Sequence, residues 1–162
     1  MELIRVRDIN NPLVKVIQDD PVRPHIPLSQ RVNEWAEILI LKNDEQVLAA
    51  ACMQWLKDVP QNEEDLTGDH GDHNVAVFYT VWSYSPGAGA EILIRAVKWL
   101  REEFKDINGI VTLSPQTEMA RKFHLKNGAR IHRHNATTTN YESYFKEQEL
   151  ATHEVASLTN NV

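Results

Sequence analysis

Apolar and charged residues alternate through Glu2-Leu3-Ile4-Arg5-Val6-Arg7, the two-residue period of a strand with one buried face. Residues 35–42 (WAEILILK) and 47–56 (VLAAACMQWL) are apolar runs separated by Asn-Asp-Glu-Gln. That pattern predicts a hairpin, with turn chemistry from Asn43 and Asp44. Between the first strand and the hairpin stand Pro12, Pro21, Pro24 and Pro27, which predict a short helix near 12–20 and an ordered loop near 21–27. Residues 74–85 (NVAVFYTVWSYS) are rich in Val, Phe, Tyr and Trp and carry the strongest strand signal in the chain. Ile92, Leu93, Ala96, Val97, Leu100 and Phe104 then fall at helical spacing, which predicts an amphipathic helix over 90–104.

Residues 109–115 (GIVTLSP) read as a short buried strand. A second helix follows in TEMARKFHLKNGA, with Thr117 as N-cap and Gly128 at its C-terminal stop. Residues 129–137 and 139–147 predict two closing strands. The segment 57–73 (KDVPQNEEDLTGDHGDH) is polar, acidic and turn-rich, and predicts a long exposed loop with little intrinsic order. A meander of strands followed by strand–helix units argues for an α+β domain: a mixed sheet with helices on both faces. The expected extent is one domain over 1–146, with 147–162 a weak terminal helix or a disordered tail.

Size and charge narrow this picture. A chain of 162 residues, 42% hydrophobic and 25% charged, is an ordinary single-domain globular sequence. Its net charge of -6 argues against general nucleic-acid binding, although 121–133 (RKFHLKNGARIHR) is locally basic. One cysteine, Cys52, excludes an intramolecular disulfide and fits a reducing compartment. The first ten residues lack the apolar core of a signal peptide, and no run approaches a membrane span. The expected setting is the cytoplasm, with no membrane partner.

The step from strand to helix, Tyr84-Ser85-Pro86-Gly87-Ala88-Gly89, raises the question of an anion site. A helix N-terminus presents free N–H groups and the positive end of its dipole. A Walker loop would need Lys and Ser or Thr after the last glycine, where Ala90-Glu91 stands. A dinucleotide fingerprint would need a third glycine, where Ile92 stands. Both readings fail, and alone the pair of glycines would be a tight turn.

The same stretch resembles the Q/R-x-x-G-x-G/A pyrophosphate loop of the GNAT superfamily, the acyl-CoA-dependent N-acyltransferases. Residues 120–129 (ARKFHLKNGA) resemble that family's second signature, A-x-x-F/L-Y-x-x-x-G-F, one strand–helix unit later. The resemblance covers residues 2–146 and implies a GNAT-like sheet, mixed but mostly antiparallel, of about six to seven twisted strands. It implies acetyl-CoA or another acyl-CoA as co-substrate, held by Val81, Ser83, Tyr84, Ser85, Gly87, Ala88, Gly89 and Ala90. It also implies a proton donor for the departing thiolate at His124, assisted by Ser114, and an amine of a small molecule or protein as acceptor. Two departures stand out: Tyr84 replaces the usual Gln or Arg, and His124 replaces the family's frequent Tyr.

The acceptor amine must lose a proton, and the 74–84 strand supplies no Asp or Glu for the purpose. Tyr79, His73, Asp72 or a bound water remain as candidates. Asp69, His70, Asp72 and His73 invite a metal reading, but their spacing in a polar loop favours a solvated acidic segment, which could steer a cationic acceptor. His132 and His134 alternate on one strand and would share one face, which invites a metal pair but favours a solvent-facing edge. A second reading stays open beside the enzyme: a GNAT-like binding or structural module without turnover, as in GNAT-like proteins that some viruses carry.

Overall fold

In the computed structural model residues 1–70 and 73–143 are described, so the expected tail and the end of the last strand lie outside the described residues. Strands β1 (Glu2–Val6), β2 (Ala36–Asn43) and β3 (Gln46–Leu56) form an antiparallel meander, closed between β2 and β3 by Asp44 at φ 51°. β4 (Val75–Ser83) pairs antiparallel with β3 and parallel with β5 (Gly109–Thr112). β8 (Thr138–Ser143) flanks β5 and also pairs with β6 (Ser114–Pro115) and β7 (Ala129–His134). Among the described residues the sheet therefore has eight strands, more than the sequence predicts, because the 109–115 strand breaks at Leu113 into β5 and β6. Three α-helices are present among the described residues: α1 (Leu28–Arg31), α2 (Ala88–Glu103) and α3 (Glu118–Lys126).

Helical segments cover both faces. Against one face α2 packs Ile92, Ala96, Val97 and Leu100 on Leu39, Leu41, Met53 and Phe78. Alanines at 49, 51 and 76 keep that surface low, so the helix approaches closely and Ile92 and Leu100 are wholly buried. Burial of each is worth about 1.5–3 kcal/mol. The opposite face is covered by Val16 of the 3-10 helix Pro12–Asp19, by Ile26 and by Leu66.

β4 changes face part-way along. Ala76 and Phe78 lie on the α2 side, and Val75, Val77 and Tyr79 on the other. Beyond that point the parity reverses: Val81 joins the α2 side and Trp82 the opposite one. The register explains it, since Met53 opposes Phe78 while Cys52 opposes Thr80, leaving Tyr79 as the extra residue of a β-bulge. Because β4 is apolar on both faces, nothing in its composition marks the reversal.

The 57–70 segment differs from the exposed loop expected of it. Asn62 caps a 3-10 helix, Glu63–Thr67, that buries Leu66. The carbonyl of Leu66 accepts from the Gln54 amide, and that of Pro60 accepts from Asn140 Nδ2 at 2.9 Å. One donor lies on β3, just before the strap, and the other on β8, far from it in sequence.

Candidate functional site

Pairing between β4 and β5 ends at Phe78 and Thr112, with a last bond from Leu113 N–H to Phe78 O at 3.0 Å. β6 then follows β8, and Pro115 has no N–H to offer in return. β4 continues alone to Ser83, and the strands open into a cleft of about 320 Å3 whose far wall is α3. Tyr84 N–H donates to Leu48 O of the β3 side at 2.8 Å. By the two-residue alternation, the backbone groups of Val81 and Ser83 are turned the other way, into the cleft.

The strand leads straight into the glycine turn. Gly87 takes φ 79° as the N-cap of α2, a left-handed conformation costly to residues with a side chain. Ala88 N–H is committed to Ser85 O at 3.1 Å, and Glu91 N–H to Gly87 O at 3.2 Å. Between them the amides of Gly89 and Ala90 occupy positions where an α-helix has no carbonyl to accept them. A Cβ on Gly89 would lie 3.7 Å from the Phe123 ring, so the glycine keeps that wall of the cleft thin.

The expected cofactor residues divide accordingly. Val81, Ser83 and Gly89 line the cleft together with Ser114 and His124, and Gly87 and Ala90 complete the turn beside it. Ala88 buries its side chain against the sheet. Tyr84 does not face the turn at all. The bulge sends its side chain to the opposite face, where its hydroxyl donates to Asp19 at 2.7 Å and accepts from Trp82 Nε1 at 3.0 Å. Burial, with Asp19 beside it, pushes the Tyr84 phenol up to about 12.

At the other wall, Ser114 Oγ donates to Thr112 Oγ1 at 2.8 Å and lies 3.2 Å from His124 Nε2. With its proton given to Thr112, Ser114 accepts from a protonated Nε2, which leaves Nδ1 as the bare nitrogen. The imidazole stacks on Tyr141 with centroids 4.6 Å apart. Burial lowers the His124 pKa to about 4, so the ring is neutral at neutral pH and carries no acidic proton to give. A neutral ring is not the state suited to the proton donor that the family resemblance implies at His124.

Neither described base candidate is placed for the task. Burial raises the Tyr79 phenol well above its ordinary value. His73 precedes β4, at the opposite end of the strand from the glycine turn, and packs on Trp55 and Phe104. Asp72 lies outside the described residues. His70 stacks on Trp35 and contacts Gln54 Nε2 at 3.0 Å. His132 and His134 do not pair up, since a bulge at His132 breaks the alternation and their partners are Glu142 and Thr139.

A second constellation, which no local pattern signals, closes over the bulge. Arg31 is fully buried and donates to Asp20 Oδ2 at 2.6 Å, to Ile26 O at 2.8 Å and to Arg23 O at 2.7 Å, so the 20–26 loop is wrapped around its guanidinium. Burial would raise the Asp20 carboxyl, but hydrogen bonds from Arg31 and from the Arg23 and Val22 amides hold it below its ordinary range. Arg23 in turn donates to the Tyr79 carbonyl, which the bulge frees from the ladder, and to Glu63 Oε1 at 3.0 Å. Glu63 also meets His25 Nε2 at 2.6 Å. One carboxylate thus ties the 21–30 loop to the 57–70 strap, beside the narrow end of the cleft.

The sequence matches no protein-family model and no curated protein. Solved structures do match. Malonyl-CoA decarboxylase from Agrobacterium vitis superposes with a TM-score of 0.73 at 18% identity, over 94% of this chain and 62% of that one. The chain therefore spans less than two thirds of that protein's length. An acetyltransferase from Bacillus subtilis in complex with CoA matches at a TM-score of 0.62 and 9% identity, over 90% of this chain and 99% of that one. The N-acetyltransferase PseH from Campylobacter jejuni matches at 0.59 and 10%, over 90% and 98% of the two chains.

Proposed function

The chain has the fold of the GNAT acetyltransferases, and from that premise we propose that it transfers an acyl group from acyl-CoA to an amine. One observation carries the reading: the β4–β5 opening runs without interruption into a left-handed glycine turn and a helix start with free amides. A structure of this fold carries CoA in the Bacillus subtilis protein. Here the Gly89 and Ala90 amides would receive the diphosphate, and the backbone of Val81 and Ser83 would pair with the amides of the pantetheine arm as a missing strand would. Gly87 and Ser85 shape the turn, and Tyr84 anchors its start to β3 through the backbone N–H.

The amine nitrogen attacks the thioester carbonyl, the C–N bond forms, and the C–S bond breaks. The proton lost by the amine ends on the departing sulfur. The Ser114 hydroxyl, which donates to Thr112 Oγ1, would turn its proton from Thr112 to that sulfur, and neutral His124 acts as a positioning residue, donating from Nε2 to hold Ser114 in place. Alignment of amine and thioester supplies much of the acceleration in such a reaction, so a dedicated base is not required. A non-catalytic module remains the second reading. The observation favouring it is that neither described base candidate reaches the cleft in a usable state.

Calorimetry with CoA and acetyl-CoA tests the first step: the wild type should bind both, and Gly89→Trp should bind neither. Lack of CoA binding at millimolar concentration overturns the proposal. Thiol release with a panel of amines tests the second step, and should fall in Ser114→Ala by more than in His124→Gln. Binding without release from any amine would leave the module.

A further inference from the structure

We infer that the narrow end of the cleft accepts uncharged acyl groups and rejects those ending in a carboxylate, and that Glu63 sets this choice by neutralising Arg23. The inference rests on the acyl-CoA reading and adds the acyl class to it. Among the described residues, no Lys, Arg, Asp or Glu side chain lines the cleft, and its one histidine is neutral. The lining is aliphatic, aromatic and hydroxylic, including Phe78, Trp82 and Pro115.

A buried cation, Arg23, stands beside the narrow end. It follows Val22, which lines the cleft, and its guanidinium holds the carbonyl of Tyr79, which lines it too. Arg23 is 6% exposed, and its guanidinium already carries Glu63 on Nε. Burial lowers the Arg23 pKa and Glu63 opposes this, so the pair is the natural state of both groups. A carboxylate on the acyl chain would have to displace Glu63, which His25 also holds, or lie without a cation among aliphatic, aromatic and hydroxyl groups. Either course is costly for a buried anion. An acyl chain of the same shape without the charge meets no such barrier. The structural likeness to a malonyl-CoA decarboxylase makes malonyl-CoA the informative probe.

Isovaleryl-CoA and malonyl-CoA serve as a matched pair, since an isopropyl group and a carboxylate have the same branched shape. Calorimetry on the full chain should show isovaleryl-CoA binding at least about tenfold more tightly than malonyl-CoA. In Glu63→Gln the freed Arg23 should shift that ratio about tenfold toward malonyl-CoA. The double change Arg23→Gln/Glu63→Gln should return it to the wild-type value. Circular dichroism and affinity for CoA itself report whether each variant is folded. Malonyl-CoA binding as tightly as isovaleryl-CoA in the wild type overturns the inference alone. A ratio unmoved in folded Glu63→Gln overturns the role of Glu63. Absence of CoA binding overturns the acyl-CoA reading and the inference with it.

Discussion

The two ends of the cleft are built on different principles. At the glycine turn, between Ser83 and Glu91, the working groups are backbone amides, positioned by neighbours a few residues away. At the bulge, the buried side chains of Asp20, Arg23 and Arg31 meet the partly exposed Glu63 and the backbone of β4, and the bond from Arg23 to the Tyr79 carbonyl spans 56 positions. The first end tolerates side-chain change as long as the backbone path survives. The second is a chain of charges in which each member leaves another stranded if removed.

The largest expected effect strikes the second end. Arg31→Met leaves the Asp20 carboxylate buried without its partner and should cost about 3–5 kcal/mol in denaturant unfolding. Because the folded-state pKa of Asp20 is depressed, its contribution is full above the ordinary carboxylate range and fades as the pH falls through the folded value. A loss below about 1 kcal/mol would mean that the loop around Arg31 holds without it.

The next effect concerns the wall between the ends. His124 stays neutral down to about 4, whereas an unfolded histidine takes up a proton near 6.5. Between those values the unfolded chain binds the extra proton, so stability rises with pH across the window, by about 3 kcal/mol in all. Unfolding curves from pH 7 to 4 should show this slope, and His124→Gln should lack it.

Changes at the glycine turn should be smaller and separable. Gly87→Ala places a side chain at φ 79° with open space around it, so it should cost about 1 kcal/mol through the backbone alone. Gly89→Ala meets only ordinary contact with Phe123 and should leave thermal stability almost unchanged. Equal losses at the two positions would break the distinction. Smallest of all, Tyr84→Phe removes the exposed hydrogen bond to Asp19 and the acceptor for Trp82 Nε1, about 0.5–1 kcal/mol, and should leave CoA affinity as it was. Weakened CoA binding in that variant would return the Tyr84 side chain to the cofactor loop.

The contrast also explains what could be read from the chain. The hairpin, the Thr117 cap, α2 and the positive φ of Gly87 and Gly128 follow from short-range rules, and the structure has each of them. So does the division of the 109–115 strand, in retrospect, since Ser114-Pro115 cannot continue a ladder on both sides. The bulge at Tyr79 was not legible, because apolar residues on both faces of β4 hide a change of parity. The order of the 57–70 strap was hidden for a related reason: its acidic composition speaks of solvent, while its hydrogen-bond donors are Gln54, on the strand just before it, and Arg133 and Asn140, on strands far along the chain. Arg23 and Glu63 share that illegibility, as two ordinary surface-type residues until the fold joins them.

Backbone amide resonances followed during titration with CoA test the central claim most directly. The expected result is that Gly89 and Ala90 move most, with Val81 and Ser83 next, while amides around Arg31 and Asp20 stay in place. Shifts confined to the surface of α3 or the 57–70 strap, with Gly89 and Ala90 unmoved at saturation, would contradict it.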